Sequence, residues 1–159
     1  MMKLTIVAIG KLKDKHLAAL QADYCKRLGA FAKCEVIEIK DEANFREERP
    51  GERQKILERE AKRALAKIKP GAWVVLLDLH GHQWTSEAFA EQLAVWRLKA
   101  SELVFVIGGS LGVGGALIRR ADARWQLSRL TFTHLMTRVL ALEQIYRGLM
   151  IDVGRKYHK

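Results

Sequence analysis

The 159 residues fit one domain and leave little room for a second. Their 49% apolar and 29% charged balance is that of a folded globular protein, not of a disordered or membrane-embedded chain. A chain of this length buries about two-thirds of its unfolded surface, so it needs neither a disulfide framework nor a structural metal. Cys25 and Cys34 read as reduced, structural residues. Twenty-eight Lys and Arg against 18 Asp and Glu give a net charge of +10, which attracts polyanions, nucleic acid first among them.

In chain order, Leu4 to Gly10 (LTIVAIG) is a β-rich apolar run closed by glycine, hence a strand and not a secretion signal. Asp14 to Leu28 places Leu17, Leu20, Tyr24 and Leu28 at helical spacing and stops at Gly29. Cys34 to Lys40 alternates apolar and polar residues, as a strand with one wet face does. Residues 41 to 51 are charged and end in Pro50-Gly51, which predicts a mobile loop before a charged helix over Glu52 to Lys69. Ala72 to Leu79 is a continuous apolar run, the mark of a strand covered on both faces. His80-Gly81-His82 reads as a turn, and Thr85 or Ser86 as the cap of a helix reaching Ala100. A buried strand over Leu103 to Ile107 runs into the loop GGSLGVGG. A short helix over 116 to 123, a short strand over Trp125 to Ser128 and a last helix over Thr133 to Met150 complete the chain. Strand and helix alternate, which predicts an α/β fold with a mainly parallel sheet flanked by helices, in one domain over residues 1 to 159.

In open parallel sheets, ligands bind beyond the carboxyl ends of the strands. Three loops leave such ends: His80 to Trp84, Gly108 to Gly115 and Arg129 to Thr133. The glycine loop lacks the Gly-Lys-Ser/Thr of a phosphate-binding loop and the third glycine of a dinucleotide fingerprint. A plain tight turn is its bland reading, and its place after a buried strand favours a ligand site. His80 and His82 have H-x-H spacing, but no further ligand cluster accompanies them, so no metal is expected. The last helix is apolar on most sides, which predicts burial against a second subunit. It is too short and too charged to span a bilayer, so the expected location is the cytoplasm. Beyond it the tail gathers Arg155, Lys156, Tyr157, His158 and Lys159, an aromatic, a histidine and three cations suited to an unstacked RNA base.

Five segments in this order, KLTIVAIGKLK, LLDLHG, FVIGGSLG, LSRLTFTHLMTRVLALEQIYR and the terminal YHK, resemble the RlmH family of SPOUT methyltransferases over the full length. The resemblance implies a C-terminal trefoil knot, a topology that general connection rules disfavour. It also implies S-adenosyl-L-methionine as methyl donor, N3 of a pseudouridine in 23S ribosomal RNA as acceptor, and a homodimer. The family's donor pocket maps onto Leu77, Gly108 and the run Leu127, Ser128, Arg129, Leu130, Thr131 and Phe132. Thr133 stands where the family usually has proline, and Gly112-Val113 where it often has Gly-Leu. His158 as base or relay, Arg147 as anion stabiliser and Tyr157 as stacking partner are the candidate catalytic residues. An ion pair of Arg147 with Glu143, four residues earlier, is the structural alternative for that arginine. A frayed end is the alternative for His158, and His134 reads as a structural cap of the last helix. The competing function is a non-catalytic ribosome- or RNA-binding module of the same fold.

Overall fold

The computed structural model describes residues 1–42 and 49–158, so most of the expected 41 to 51 loop, and Lys159, lie outside the described residues. Five strands form one sheet in the order β2-β1-β4-β3-β5, every neighbouring pair parallel. β1 (Met2–Ile9) pairs with β2 (Ala32–Ile39) on one side and β4 (Glu102–Ile107) on the other. The apolar runs of β1 and β4 are buried because helices cover both faces. The alternating β2 lies at the edge, where Lys33 and Glu38 are exposed and the four residues between them are half-buried.

β3 (Trp73–His82) is longer than its apolar run, and the expected turn at His80-Gly81-His82 is strand. The cause is pairing with β5 (Ala123–Trp125). Leu77 and His82 both register with Trp125 across a bulge, and His82 O accepts from the Gln126 amide at 2.8 Å. A Cβ on residue 81 would lie 2.6 Å from the Trp125 nitrogen, so only glycine lets the two backbones pass. β5 itself begins two residues earlier than expected, held by Asp122, whose amide donates to Val74 O and whose carboxylate accepts from Val74 N, both at 2.8 Å.

Asp14 caps α1 (Lys15–Leu28), its carboxylate accepting from the amides of His16 and Leu17. α2 (Pro50–Leu65) starts at the proline itself, whose missing N–H belongs to an unpaired first turn in any case. Thr85 caps α3 (Ser86–Lys99), and α4 (Gly115–Arg120) is a short connector. The cap of α5 (His134–Asp152) is the Thr133 hydroxyl, which accepts from the Met136 amide, and not His134. Helices α1, α3 and α5 cover one face of the sheet around Phe89, Trp96, Phe105, Leu142 and Ile145. Helices α2 and α4 cover the other around Ala61, Ala64, Val106 and Leu117.

This layering corrects one expectation. Leu142 and Ile145 have no exposed surface, because α5 lies between α1 and α3 with the sheet beneath it. The apolar breadth of α5 is thus taken up inside the chain. Gly148 lets α3 approach, since a Cβ there would lie 2.6 Å from Leu93 Cδ1. Cys25 and Cys34 are free thiols with sulfurs 3.4 Å apart.

The least expected core residue is Arg138, fully buried on α5. It donates to Glu38 Oε2 at 2.6 Å and to the Gly10 carbonyl at 2.8 Å, joining α5 to the ends of β1 and β2. Burial alone would raise the Glu38 carboxyl, but Arg138, the Leu12 amide and Lys11 outweigh it and hold the carboxyl below its ordinary value. Because the folded value is depressed, the pair's stability is complete above the ordinary carboxylate range and is lost as pH falls through the folded value. Replacing Arg138 by Met, which strands the Gly10 carbonyl, should cost about 2 kcal/mol in urea unfolding. Glu38→Gln should cost about 1 kcal/mol at neutral pH, with the gap to the parent closing as pH is lowered toward about 3. A gap independent of pH would refute the ionic account.

Candidate functional site

With five parallel strands, the loops after β1, β3, β4 and β5 emerge at one edge of the sheet, and a cleft of about 820 Å³ opens there. That volume falls within the roughly 300–1,000 Å³ of small-molecule sites. Leu77 and Asp78 in the middle of β3, the 108–113 loop, the 125–133 segment and the first turn of α5 form its walls. Asp14 and Leu17 of α1 and Arg53 and Leu57 of α2 complete them. Seven of the eight expected pocket residues line it: Leu77, Gly108, Leu127, Ser128, Leu130, Thr131 and Phe132. Arg129 does not, and its side chain is exposed.

The glycine loop earns its composition in two ways. A Cβ at Gly108 would sit 2.6 Å from Gly112 O and 2.9 Å from Val113 Cγ2, because the loop folds back on itself. Gly112 N donates to Gly109 O at 3.1 Å to close that turn, and Gly112 takes a φ of +99. Gly114 instead packs against α2, where a Cβ would meet Leu57 O at 2.6 Å. Arg53 fastens the loop by donating to Leu111 O at 2.9 Å. Part of the glycine signal is therefore self-packing, and Gly108 is the part that shapes the cleft.

The opposite wall is set by short-range bonds. Ser128 Oγ accepts from the Leu130 amide at 3.0 Å, turning the chain so that Leu130 and Phe132 project, 73% and 39% exposed, at the rim. Asp78 is neutralised by an ion pair with Arg124, leaving the floor apolar. His134, expected to be purely structural, also lines the cleft; burial and the nearby Arg138 hold its imidazole below the usual range, so it is neutral at pH 7. Apolar walls and a paired acid suit a largely apolar ligand of nucleoside size. Among the described residues no group of three His, Cys, Asp or Glu is placed to hold a metal, and no helix is long and apolar enough to cross a membrane.

The three candidate catalytic residues gather elsewhere. The tail folds back onto α5, with the Arg155 amide bonded to Met150 O at 2.9 Å and its guanidinium 5.6 Å over the Phe31 ring. Tyr157 packs edge-on to Tyr146 with centroids 4.9 Å apart, lies under the Arg147 guanidinium, and donates to Glu143 at 3.2 Å. Burial, Tyr24 and Glu143 push its phenol well above the usual value, so it is a donor and never a base. Arg147 makes the Glu143 ion pair that its spacing permits, at 2.6 Å, and also reaches His158 Nδ1 at 3.2 Å. Since guanidinium only donates, Nδ1 accepts, and Nε2 carries the proton toward Glu87 at 2.8 Å. Glu87 is the member that sequence reading missed, 71 positions from His158 with no local signal.

None of Arg147, Tyr157 and His158 lines the cleft. Thr137 of α5 does, and Arg147 stands ten residues further along the helix, about 15 Å at 1.5 Å per residue. One chain therefore presents a cleft and a tail cluster at separate places.

A model of the family described as predicted SPOUT methyltransferase matches residues 2–158. A ribosomal RNA large subunit methyltransferase H of Carboxydothermus hydrogenoformans is 42% identical over 99% of this chain and 100% of its own length. The protein of the same name from Ruminiclostridium cellulolyticum is 43% identical over the same shares. Among solved structures, an A. aeolicus TrmH/SpoU tRNA modifying enzyme has a TM-score of 0.44 and 14% identity over 100% of this chain and 82% of that one. With its parallel sheet, its carboxyl-edge cleft and a family match from one end to the other, the chain belongs to the SPOUT methyltransferase family.

Proposed function

We propose that this protein methylates N3 of a pseudouridine in 23S ribosomal RNA, with S-adenosyl-L-methionine as donor, as a cytoplasmic homodimer. The cleft carries the reading: seven of the eight residues expected to hold the donor converge on it from strand β3 and two separate loops. The full-length relatives named as large-subunit ribosomal RNA methyltransferases point to the acceptor. The reading includes a single domain with a C-terminal trefoil knot. It is supported by the sheet order, in which β5 joins outside β3 before the chain returns as α5 between α1 and α3.

When bound, the donor supplies a methyl group on a sulfonium, whose thioether leaves without needing a proton. The chain's own work is to enclose, orient and deprotonate. Leu77, Leu127, Leu130 and Phe132 enclose the adenosyl part, and the Gly108 backbone admits it closely. A pseudouridine N3 loses its proton before it attacks, and His158 Nδ1 takes it once the Arg147 N–H that occupies its lone pair turns to the base. Arg147, already bonded to that nitrogen, then faces the anion left on the base, and the Tyr157 ring offers a stacking surface.

Reacting atoms must come within about 3–3.5 Å, which the roughly 15 Å between cleft and tail along α5 forbids inside one protomer. A twofold dimer resolves this by bringing the tail of one protomer to the cleft of its partner. The exposed Leu130, Phe132 and Met136 at the rim are apolar surface that a second copy would cover.

Gly108→Val should weaken donor binding at least 100-fold in calorimetry, with the far-ultraviolet circular dichroism unchanged. Ordinary affinity in that variant would overturn the donor site. Deleting Tyr157 to Lys159 should leave donor affinity intact and lower methyl transfer to ribosomes at least 100-fold. Mixing those shortened subunits with Gly108→Val subunits should restore part of the activity, because each mixed dimer re-forms one complete site. No recovery on mixing would place cleft and tail in one protomer, and full activity of the shortened enzyme would remove the tail from the mechanism.

A further inference from the structure

The segment between β1 and α1 reads Lys11-Leu12-Lys13-Asp14-Lys15, and it leaves the sheet at the edge that carries the cleft. Gly10 turns the chain with a φ of +100. Leu12 is half-buried, its amide donating to Glu38 Oε2 at 2.7 Å, the same carboxylate that the buried Arg138 holds. The residues on either side of Leu12 therefore face out, and Lys11, Lys13 and Lys15 are all exposed. Among the described residues none of the three makes an ion pair. Lys11 feels the field of Glu38, whose bonds are already taken by Arg138 and Leu12.

Folding does not account for this cluster. The amino end of a helix carries partial positive charge and favours acids, and α2 and α3 place Glu52 and Glu87 there. The first four helices keep cations in their last turns, as the dipole prefers. At the start of α1 the order is reversed: the first turn has no acid, Lys15 opens it, and Lys11 and Lys13 precede it. Asp14 offsets one of these three charges, and its carboxylate is turned to the amides of His16 and Leu17. Those amides are consequently satisfied, and the lysine side chains, not the helix end, are the groups left for an anion. Asp14 and Leu17 line the cleft, so the lysines stand at its mouth.

We infer that Lys11, Lys13 and Lys15 are a docking surface for the phosphate backbone of ribosomal RNA, holding the strand whose base enters the cleft. The inference rests on the proposed methylation of ribosomal RNA and adds where that RNA is gripped. The Arg138–Glu38–Leu12 chain of bonds makes the surface rigid, so the lysines are presented without a loop having to be ordered on binding. Arg129, exposed in the loop after β5, adds a fourth cation at the same edge.

The test uses the full-length protein and purified ribosomes, with binding measured over a salt series. Lys11→Ala, Lys13→Ala and Lys15→Ala combined should reduce the slope of log affinity against log salt by about 2 to 3, the release expected for three phosphate contacts. The same variant should bind ribosomes at least ten-fold more weakly at about 0.1 M salt, where surface charges still act over roughly 10 Å. Its calorimetric affinity for S-adenosylmethionine should be unchanged, its KM for ribosomes raised, and its kcat within about two-fold of the parent's. The corresponding triple replacement by Arg should restore ribosome affinity. An unchanged salt slope, or an Arg variant as weak as the Ala variant, overturns the surface. A parent protein that binds ribosomes yet transfers no methyl group would refute the proposed reaction, while the salt series would still judge the lysines. An acidic protein partner in place of RNA would be revealed if naked 23S RNA failed to compete for binding.

Discussion

Arg138 is a cation withdrawn entirely from water, a placement made tolerable by the acceptors that its two terminal nitrogens meet, while its Nε–H has no partner among the described residues. Its acceptors are the last carbonyl before the β1–α1 loop and a carboxylate near the end of β2, and its own backbone belongs to α5. Three segments remote in sequence are thereby fixed to one another at the carboxyl edge. The first turn of α5 forms one wall of the cleft. The β1–α1 loop forms its mouth, and Glu38 passes the constraint on to Leu12. An apolar residue of similar size would fill the space but would hold none of these directions. The arginine thus fixes orientation where a hydrocarbon would only fill volume.

The chemistry divides along the same helix. The amino end of α5 and the loops beside it make an apolar pocket with amide walls, suited to binding and orienting. The carboxyl end carries a set of mutually bonded polar groups, Glu143, Arg147, Tyr157 and His158, joined to Glu87 of α3. Each ring nitrogen of His158 has a partner, which settles its tautomer, and Tyr157 is kept neutral by burial and by its neighbours. Such a network keeps a terminal segment ordered that would otherwise fray. It also keeps the hydrogen-bond-accepting nitrogen of His158 next to a permanent cation.

Much of this was legible in the sequence because it is local. The apolar runs of β1, β3 and β4, the cap at Thr85, and the glycine loop after a buried strand all act within a few residues of themselves. What escaped was set by distant partners. The stretch at His80 to His82 looked like a turn until β5 paired with it. Leu142 and Ile145 looked like interface until α1 and α3 enclosed them, and Glu87 had no reason to be linked with His158. The expected pocket residues came through resemblance, and all but Arg129, which is exposed, line one cleft. Arg138 gave no signal at all, since a lone arginine on an apolar helix reads as a surface residue.

Thr133 has a consequence of its own. Its φ of −60 is a value that proline also adopts, so the residue usual at this place in the family and the residue found here produce the same entry into α5. They do so by different thermodynamic routes. A proline ring restricts the unfolded chain and leaves less freedom to be lost, an entropic contribution present before folding begins. The Thr133 hydroxyl restricts nothing beforehand and contributes a bond to the Met136 amide only once the helix has formed. The entry into α5 is therefore fixed here by a hydrogen bond of the folded state, and not by a restriction of the unfolded chain.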